Sequence, residues 1–412
     1  MLTINIAQGW RDAFLLRVIR SAAEYSSSTY KNVANNLEAA IPKILAQGLQ
    51  GLRENSIMGA LVNRNFDTDA RQRGSTVDVP IPSAMGEATD VIPNHIPYPA
   101  ADIKPALVQV KLDQWKKQEF VMTDKDILQV MDGFQNLQVL EAARSLANAV
   151  DKGLLMLYKQ IPGIAGTAGQ TPFQPEVAGS PAPYRGLGAA QEARKVLNRQ
   201  LAPMSDRRII LDVDAEANAT SLPQFISASD SGSVETIREG MIGRKLGFDW
   251  YMTQNSLVHV TQAAGTVVTT GTANTVGAKT LTVSGATVAP TEGDLFKIAG
   301  DPNGYVVGKD ATLTSWPIFP ALKVAAAAST AITVVASHVV NMAFHRDAFA
   351  LAVRPLLDID PIGNRIESFT DNLSGLTMRL EISREYKQTK FCFDVLYGCA
   401  VIRPEAACRI LG

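Results

Sequence analysis

The stretch TDKDILQVMDGFQNLQVLEAARSLANAVDKGLLMLYKQ, from Thr123 to Gln160, decides the architecture. Ile127, Met131, Phe134, Leu137, Leu140, Leu146, Val150, Leu154 and Tyr158 keep a helical period through it. Thr123 is placed to cap the helix, with Asp126 where a capping box usually carries Glu or Gln. One helix over this stretch is roughly 55 Å long at 1.5 Å per residue, against about three turns for an ordinary one. Without heptads, a helix that long predicts an elongated plate rather than a ball.

Just upstream, Val108, Val110 and Leu112 alternate with Gln109, Lys111 and Asp113, the pattern of a strand with one dry face. Thr76 to Pro82 alternates more weakly, and Pro93, Pro97, Pro99 and Pro105 stiffen the segment between. Two strands around a long, proline-rich tip predict an extended arm. Residues 1–60 read as helix-prone pieces broken by Ser26-Ser27-Ser28 and Pro42. Leu37, Ile41, Ile44, Leu45, Leu49 and Leu52 form a narrow apolar stripe there that needs a partner surface.

Downstream, a Gly/Pro/Ala-rich loop from about Ile161 to Pro183 leads to a helix near Leu187 to Asn198 and a strand over Arg207 to Val213. Val234 to Leu246 predicts a helix stopped by Gly247, with Phe248 to Met252 extended after it. From about Leu257 to Val340 the chain turns to Thr, Val, Ala and Gly, and charges become sparse. Thr280-Leu281-Thr282-Val283 alternates, and Gly293-Asp294 marks a turn before Leu295 to Ile298. This predicts a small all-β module, inserted because helical and mixed sequence resumes at Asn341. Leu376, Met378, Leu380 and Ile382 then alternate with polar residues, and Phe391 to Ile402 is apolar on both faces, as a central strand requires. Arg403-Pro404 ends it.

The chain has 412 residues, 46% hydrophobic and 19% charged, room for two or three compact units or one elaborated one. With 39 basic against 40 acidic residues the formal net charge is −1, so bulk electrostatics draw no nucleic acid and any such contact is local. Cys392, Cys399 and Cys408 show no CxxC spacing and read as small hydrophobes of a reducing compartment. Arg17 interrupts the apolar cluster Phe14 to Ile19, which speaks against a secretory signal. Val324 to Phe344 is uncharged and long enough to span a bilayer, but it is mostly Ala, Ser, Thr and Val with His338 and Asn341 inside it. Ile332-Thr333-Val334 predicts a strand there instead, in a soluble protein made in a cytoplasm.

His95, His259, His338 and His345 are isolated, without HExxH or His-x-His, so no catalytic zinc is expected. GIAGTAG, Gly163 to Gly169, lacks the spacing of a phosphate loop and follows a helix, so it reads as a flexible loop. Asp358 and Asp360 have the types of a carboxylate pair for acid–base work or a metal but read as a solvated turn, with nothing nearby in sequence to complete a site, and no GxSxG elbow exists. Cys392 and Cys399, placed in a buried strand, are poor nucleophiles. Arg64, Arg71 and Arg73 interleave with Asp67 and Asp69 and read as an ion-pair network before a DNA patch. Neither an enzyme nor a cofactor nor a metal is predicted.

Four stretches resemble the major capsid (coat) proteins of tailed bacteriophages with the HK97-like fold, in the short-tailed-phage branch that carries an inserted β domain. The first is Leu61 to Asp67 with Gly74 to Val77, similar to the start of that family's extended loop. The second is Phe120 to Asp132 with Leu146-Ala147-Asn148 and Asp151, similar to its spine helix. The third is Ile237 to Gly243 with Gly247-Phe248-Asp249 and Gln254-Asn255; the fourth is Asn341 to Ala352. The last two bracket the inserted module.

The resemblance implies an α+β fold: an N-terminal arm (1–60), an extended loop with flanking strands (61–120) and a P domain with the spine helix (121–184). An A domain in two parts (185–257 and 341–370) encloses an inserted β-rich domain (258–340), and C-terminal strands (371–412) return to the P domain. It implies self-assembly through pentamers and hexamers into the icosahedral shell of a virion, formed in the host cytoplasm around double-stranded DNA. Scaffolding protein and portal would be assembly partners, a decoration protein a possible further one, and a membrane none. Arg64, Phe66, Asp67, Arg71 and Arg73 become the assembly-contact candidates. Some capsids of this fold crosslink Lys to Asn, and Lys104, Lys111 and Asn65 have the right types, but this branch generally lacks the reaction and none is predicted. An encapsulin-like nanocompartment shell around a cargo enzyme and a soluble enzyme with a β-rich appendage are the alternative readings.

Overall fold

The chain is α+β, with one long helix and several short ones set between many strands. A computed structural model describes residues 56–65, 76–82, 88, 105–125, 134–177, 182–227, 229, 232, 235–262, 268–354, 356, 365–370 and 377–412. All of them except Lys125 lie in one unit, Arg53–Asp124 with Gly133–Gly412. In chain order come helix α1 (Met58–Leu61), strands β1 (Thr76–Ile81), β2 (Ala106–Lys111) and β3 (Gln114–Thr123), and helix α2 (Phe134–Leu155), continued by a 3-10 turn to Gln160. Strand β4 (Gly163–Gly166), helix α3 (Gly188–Arg199) and strand β5 (Arg207–Leu211) follow, then helices α4 (Val213–Thr220), α5 (Pro223–Ile226) and α6 (Glu235–Glu239). Next are β6 (Arg244–Lys245), β7 (Phe248–Met252), β8 (Leu257–His259), β9 (Val268–Thr270), β10 (Thr280–Ser284), β11 (Leu295–Ile298), β12 (Gly304–Val307), β13 (Ser315–Phe319) and β14 (Ala331–Val334). The chain closes with β15 (His338–His345), β16 (Phe349–Arg354), β17 (Arg365–Thr370), β18 (Thr377–Glu385), β19 (Gln388–Val401) and β20 (Ala407–Leu411).

Strand β19 organises a five-stranded antiparallel sheet. On one side it pairs with β3; on the other its first half pairs with β18 and its second half with β16. Being central, it is apolar on both faces, as its sequence requires. Helix α2 lays Leu146, Val150 and Leu154 on this sheet against Phe393, Val395 and Tyr397, all buried. Each such side chain contributes on the order of 2 kcal/mol through burial. Across the sheet Asp394 takes a two-point pair from Arg379 (Nη2 to Oδ2 2.6 Å, Nε to Oδ1 3.0 Å) and a hydrogen bond from the Trp115 indole at 3.1 Å.

The antiparallel pair β1–β2 packs Val77, Val79, Val110 and Leu112 onto Ala350, Ala352 and Ile402. That seat depends on Gly398 of β19, where a Cβ would lie 2.2 Å from Lys111 O and 2.8 Å from its carbonyl carbon. Backbone cannot yield as a flexible side chain can, so Gly398→Ala is expected to lift the β1–β2 pair and cost about 2 kcal/mol. Hydrogen exchange of the Val77 and Val110 amides should accelerate well beyond that of β15 amides; equal protection in both proteins would remove the seat from the account.

A seven-stranded sheet runs β4-β20-β15-β5-β7-β6, with β8 also on β15. Helix α3 covers it through Ala189, Ala190, Ala193 and Leu197, packed with Ile209, Phe248 and Ile410. The six strands from β9 to β14 close into a barrel ordered β10-β13-β12-β11-β14-β9, filled by Phe296, Tyr305 and Trp316. The chain leaves for the barrel from β8 and returns into β15, and these two pair with each other (His338 opposite His259). The barrel therefore hangs from two adjacent strands of the larger sheet.

Several elements differ from the sequence expectations. Helix α2 is described from Phe134; the proposed start at Thr123 to Gly133 falls largely outside the described residues. The predicted flexible loop at Gly163 is strand β4, parallel to β20, and Gly163 permits the approach because a Cβ would lie 2.7 Å from Ala407 O. The helix expected over Val234 to Leu246 stops at Glu239, because Gly240 and Gly243 take φ of +70° and +69° and turn the chain into β6. The strand predicted to Val213 ends at Leu211, because Asp212 accepts from the Asp214 and Ala215 amides and caps α4. Among the described residues beyond Asn341 the chain runs in strands and 3-10 turns rather than helix, and β20 carries Ala407 to Leu411 back into the sheet.

Candidate functional site

Asp151 sits in the last turns of α2 with 1% exposure. Its Oδ1 accepts the backbone amides of Ile57 (2.9 Å) and Met58 (2.7 Å) and the Ser56 hydroxyl (3.3 Å). Those amides belong to the start of α1, and the first amides of any helix have no partner within it. Oδ2 accepts the Asn255 amide at 3.0 Å. Burial pushes the Asp151 carboxyl above the ordinary aspartate range, while its bonds from Asn255, Met58, Ile57 and Ser56 pull the other way.

Asn63, three residues beyond Ala60, extends the sheet by one parallel bridge to Ala350. Its amide donates to Phe349 O (3.1 Å), its carbonyl accepts from Leu351 N (3.0 Å), and its side chain donates to Asp347 Oδ1 at 2.7 Å. The Arg208 guanidinium donates to Leu61 O beside it. Asn341 works similarly one strand along: its Oδ1 accepts from Asp212 N at 2.6 Å and fixes the turn into α4.

The root of the barrel carries a third buried group. The Tyr158 hydroxyl lies 3.0 Å from His259 Nδ1, and His259 Nε2 lies 2.8 Å from Asp294 Oδ1. A carboxylate only accepts, so Nε2 carries the proton, and in the neutral ring Nδ1 takes the Tyr158 hydrogen. Asp294 is fully buried and also accepts from Thr291 N (2.9 Å) and Thr291 Oγ1 (3.2 Å). Arg409, equally buried, donates from Nε to Ile161 O (3.1 Å) and from Nη1 to Gly293 O (2.8 Å), with its guanidinium 5.0 Å from the Tyr158 ring centre. His338 stands 5.3 Å from His259, ring to ring, and donates from Nδ1 to Ala336 O at 2.9 Å. Burial lowers the Arg409 guanidinium to about 9, lowers His338 to about 4 and raises the Tyr158 hydroxyl. A Tyr–His–Asp chain of this kind is suited to proton transfer, but Tyr158 (4% exposed) and His259 (3% exposed) are closed off from any substrate. Its chemistry here is cohesion: it ties α2, β8, β15, β20 and the barrel into one polar knot.

Of the sequence-selected contact residues, Arg64 is described and half-buried, next to the Asn63 bridge; Phe66, Asp67, Arg71 and Arg73 lie outside the described residues. His95, Lys104, Asp358 and Asp360 also lie outside them, whereas Asn65 and Lys111 are exposed. Cys392 and Cys399 are half-buried rather than buried in β19, and Cys408 is buried in β20. Burial raises all three thiols, Cys399 to about 11. Among the described residues no group of three or more His, Cys, Asp or Glu is placed to hold a metal ion, and no helix is long and apolar enough to cross a membrane. Sequence reasoning took the histidines one at a time and missed the pairing of His259 with His338. The trace in the sequence is Arg409, a lone charge in the otherwise apolar run Ala406 to Leu411.

No protein-family model matches the chain, and no curated protein matches it. Solved structures do. A chain of Mycobacterium phage Che8 is 17% identical over 87% of this chain and 91% of that one, with a TM-score of 0.49. The capsid structure of the cyanophage P-SCSP1u is 14% identical over 87% and 88%, with a TM-score of 0.48. The asymmetric unit of the bacteriophage PhiM1 mature capsid is 9% identical over 83% of each chain, with a TM-score of 0.40. All three are phage structures, and two are described as capsids.

Proposed function

We propose that the chain is a tailed-phage major capsid protein of HK97-like fold, without enzymatic activity, whose copies assemble through pentamers and hexamers into an icosahedral shell enclosing double-stranded DNA. One observation carries this reading. The four stretches on which the sequence resemblance rests are joined in pairs by side-chain hydrogen bonds. Asn63 of the first meets Asp347 of the fourth at 2.7 Å, and Asp151 of the second meets Asn255 of the third at 3.0 Å. Residues selected for likeness to one family thus turn out to be mutual partners, separated by 284 and 104 positions in the chain.

In this reading α2, β4 and the C-terminal strands β18 to β20 form the P domain, α3 to α6 with β5 to β8 and β15 to β17 the A domain, and β1 to β3 the extended loop with its flanking strands. The barrel is the inserted domain, and the buried knot at its root makes it a rigid extension of the tile. Individual interfaces between copies stay weak, because a closed shell gains stability through many simultaneous contacts and weak ones let misplaced copies leave. A scaffolding protein and a portal act during assembly.

The contact residues are tested by Arg64→Glu and Phe66→Asp. Each is expected to abolish particles in sedimentation while circular dichroism of the chain stays unchanged. Normal particle yield from either variant would take the extended loop out of the assembly contact.

A further inference from the structure

Helix α3 reads GAAQEARKVLNR and carries one acid against three cations. The acid is turned away from them: Glu192 is half-buried, and its Oε2 accepts Gly166 N of β4 at 2.9 Å. Ala189, Ala190, Ala193 and Leu197 are buried against the sheet. What faces outward is Gln191, Arg194, Lys195, Asn198 and Arg199, all exposed and aligned at helical spacing along one shallow hollow. Among the described residues none of these three cations makes an ion pair. The patch also repels its own surroundings, since Arg207, 3% exposed, has its charge disfavoured first by burial and then by Arg194. In a chain of net charge −1, such an uncompensated cationic face calls for an anion.

The composition of the face selects the anion. A protein interface needs an apolar or aromatic centre and is poor in Lys, and no apolar residue lies on this face. Phosphate backbones are held by Arg, Lys, Asn and Gln side chains without any apolar centre, which is the set present. Four residues, a rise of about 6 Å, separate Lys195 from Arg199, short enough for all three cations to engage a run of successive phosphates. We propose that the outer face of α3 is a contact surface for the phosphate backbone of double-stranded DNA, without sequence readout. Its place on the inner side of a shell rests on the capsid reading above. Three charges per copy hold DNA locally and reversibly, so a whole shell is lined without binding its contents irreversibly.

The test is binding of the full-length chain to a fluorescent 30-base-pair duplex by anisotropy between 20 and 200 mM NaCl. The affinity is expected to fall with salt at a log–log slope of about −2.7, near −0.9 for each phosphate neutralised. Combining Arg194→Gln, Lys195→Gln and Arg199→Gln, which preserves helix propensity, should lower affinity at least tenfold at 50 mM NaCl and flatten the slope toward zero. Lys309→Gln, a 77% exposed barrel lysine, should change neither. Absence of binding at 20 mM NaCl, unchanged binding by the triple variant, or displacement of the duplex by poly-glutamate more readily than by unlabelled DNA would each overturn the assignment, the last in favour of an acidic protein partner. The assay needs no shell. A salt slope that only the triple variant loses, in a chain that never forms particles, would keep the DNA contact and reject the container; particles with an unaltered slope in the triple variant would reject only this surface.

Discussion

Asp151→Ala is expected to lower stability by about 4 kcal/mol, read as a shift of the urea midpoint. The substitution leaves the amides of Ile57 and Met58 and the side chain of Asn255 without their acceptor inside the protein. An orphaned buried donor costs about 1–3 kcal/mol, and breaking a buried charged group's partnership about 3–5. Asp151→Asn separates hydrogen bonding from charge. It keeps an acceptor for the two amides, and its new N–H can reach Asn255 Oδ1, which has no partner in the parent protein. The loss should therefore be about half as large. Its pH dependence has a defined sign. Burial raises the folded-state pKa of Asp151 above 3.8, so its proton-linked stability is full below that value and is lost as pH rises through the raised one. Asp151→Asn should thus cost less at pH 7 than at pH 4. Equal losses for Ala and Asn would mean that α1 does not depend on this acceptor.

Through His338 alone, acid should loosen the root of the barrel by about 3 kcal/mol between pH 6.5 and pH 4. His338 is lowered from 6.5 to about 4, chiefly by burial, with Arg409 and His259 adding repulsion against the pull of Ala336 O and Asp294. Over that window the unfolded chain binds a proton that the folded chain refuses, so stability is complete above 6.5 and is lost as pH falls, fully below about 4. His345, also lowered by burial, acts in the same direction, whereas Asp151, Asp212 and Glu216, raised by burial, act against it. His338→Leu isolates the single group: its stability relative to the parent protein should improve by about 3 kcal/mol on going from pH 7 to pH 4. A constant difference between the two proteins across that range would show that His338 keeps an ordinary titration.

These two sites mark what the sequence alone makes legible. Periodicity disclosed the body of α2, the alternation of β1, β2 and β18, and the doubly apolar β19, because each pattern is local and set by which face is buried. Compositional shift disclosed the β-rich stretch in which the barrel forms. Asp151, by contrast, has the same sequence signature as any helical aspartate; its role comes from Ile57, Met58 and Asn255, brought to it by tertiary packing. His259 and His338 lie on either side of the barrel in sequence and meet only because β8 pairs with β15. The misread helix over Val234 to Leu246 failed for a local reason: Gly240 and Gly243 take positive φ and outweigh the apolar spacing. The strand β20 was missed because its pairing partners, β4 and β15, lie far back in the chain.

The most direct measurement is electron microscopy of the full-length chain, purified by sedimentation after co-expression with its neighbouring phage genes. Closed shells tens of nanometres across, with nuclease-protected double-stranded DNA inside when packaging genes are present, are the expected result. Only small, discrete oligomers under those conditions, or shells filled with a protein cargo in place of DNA, would contradict it.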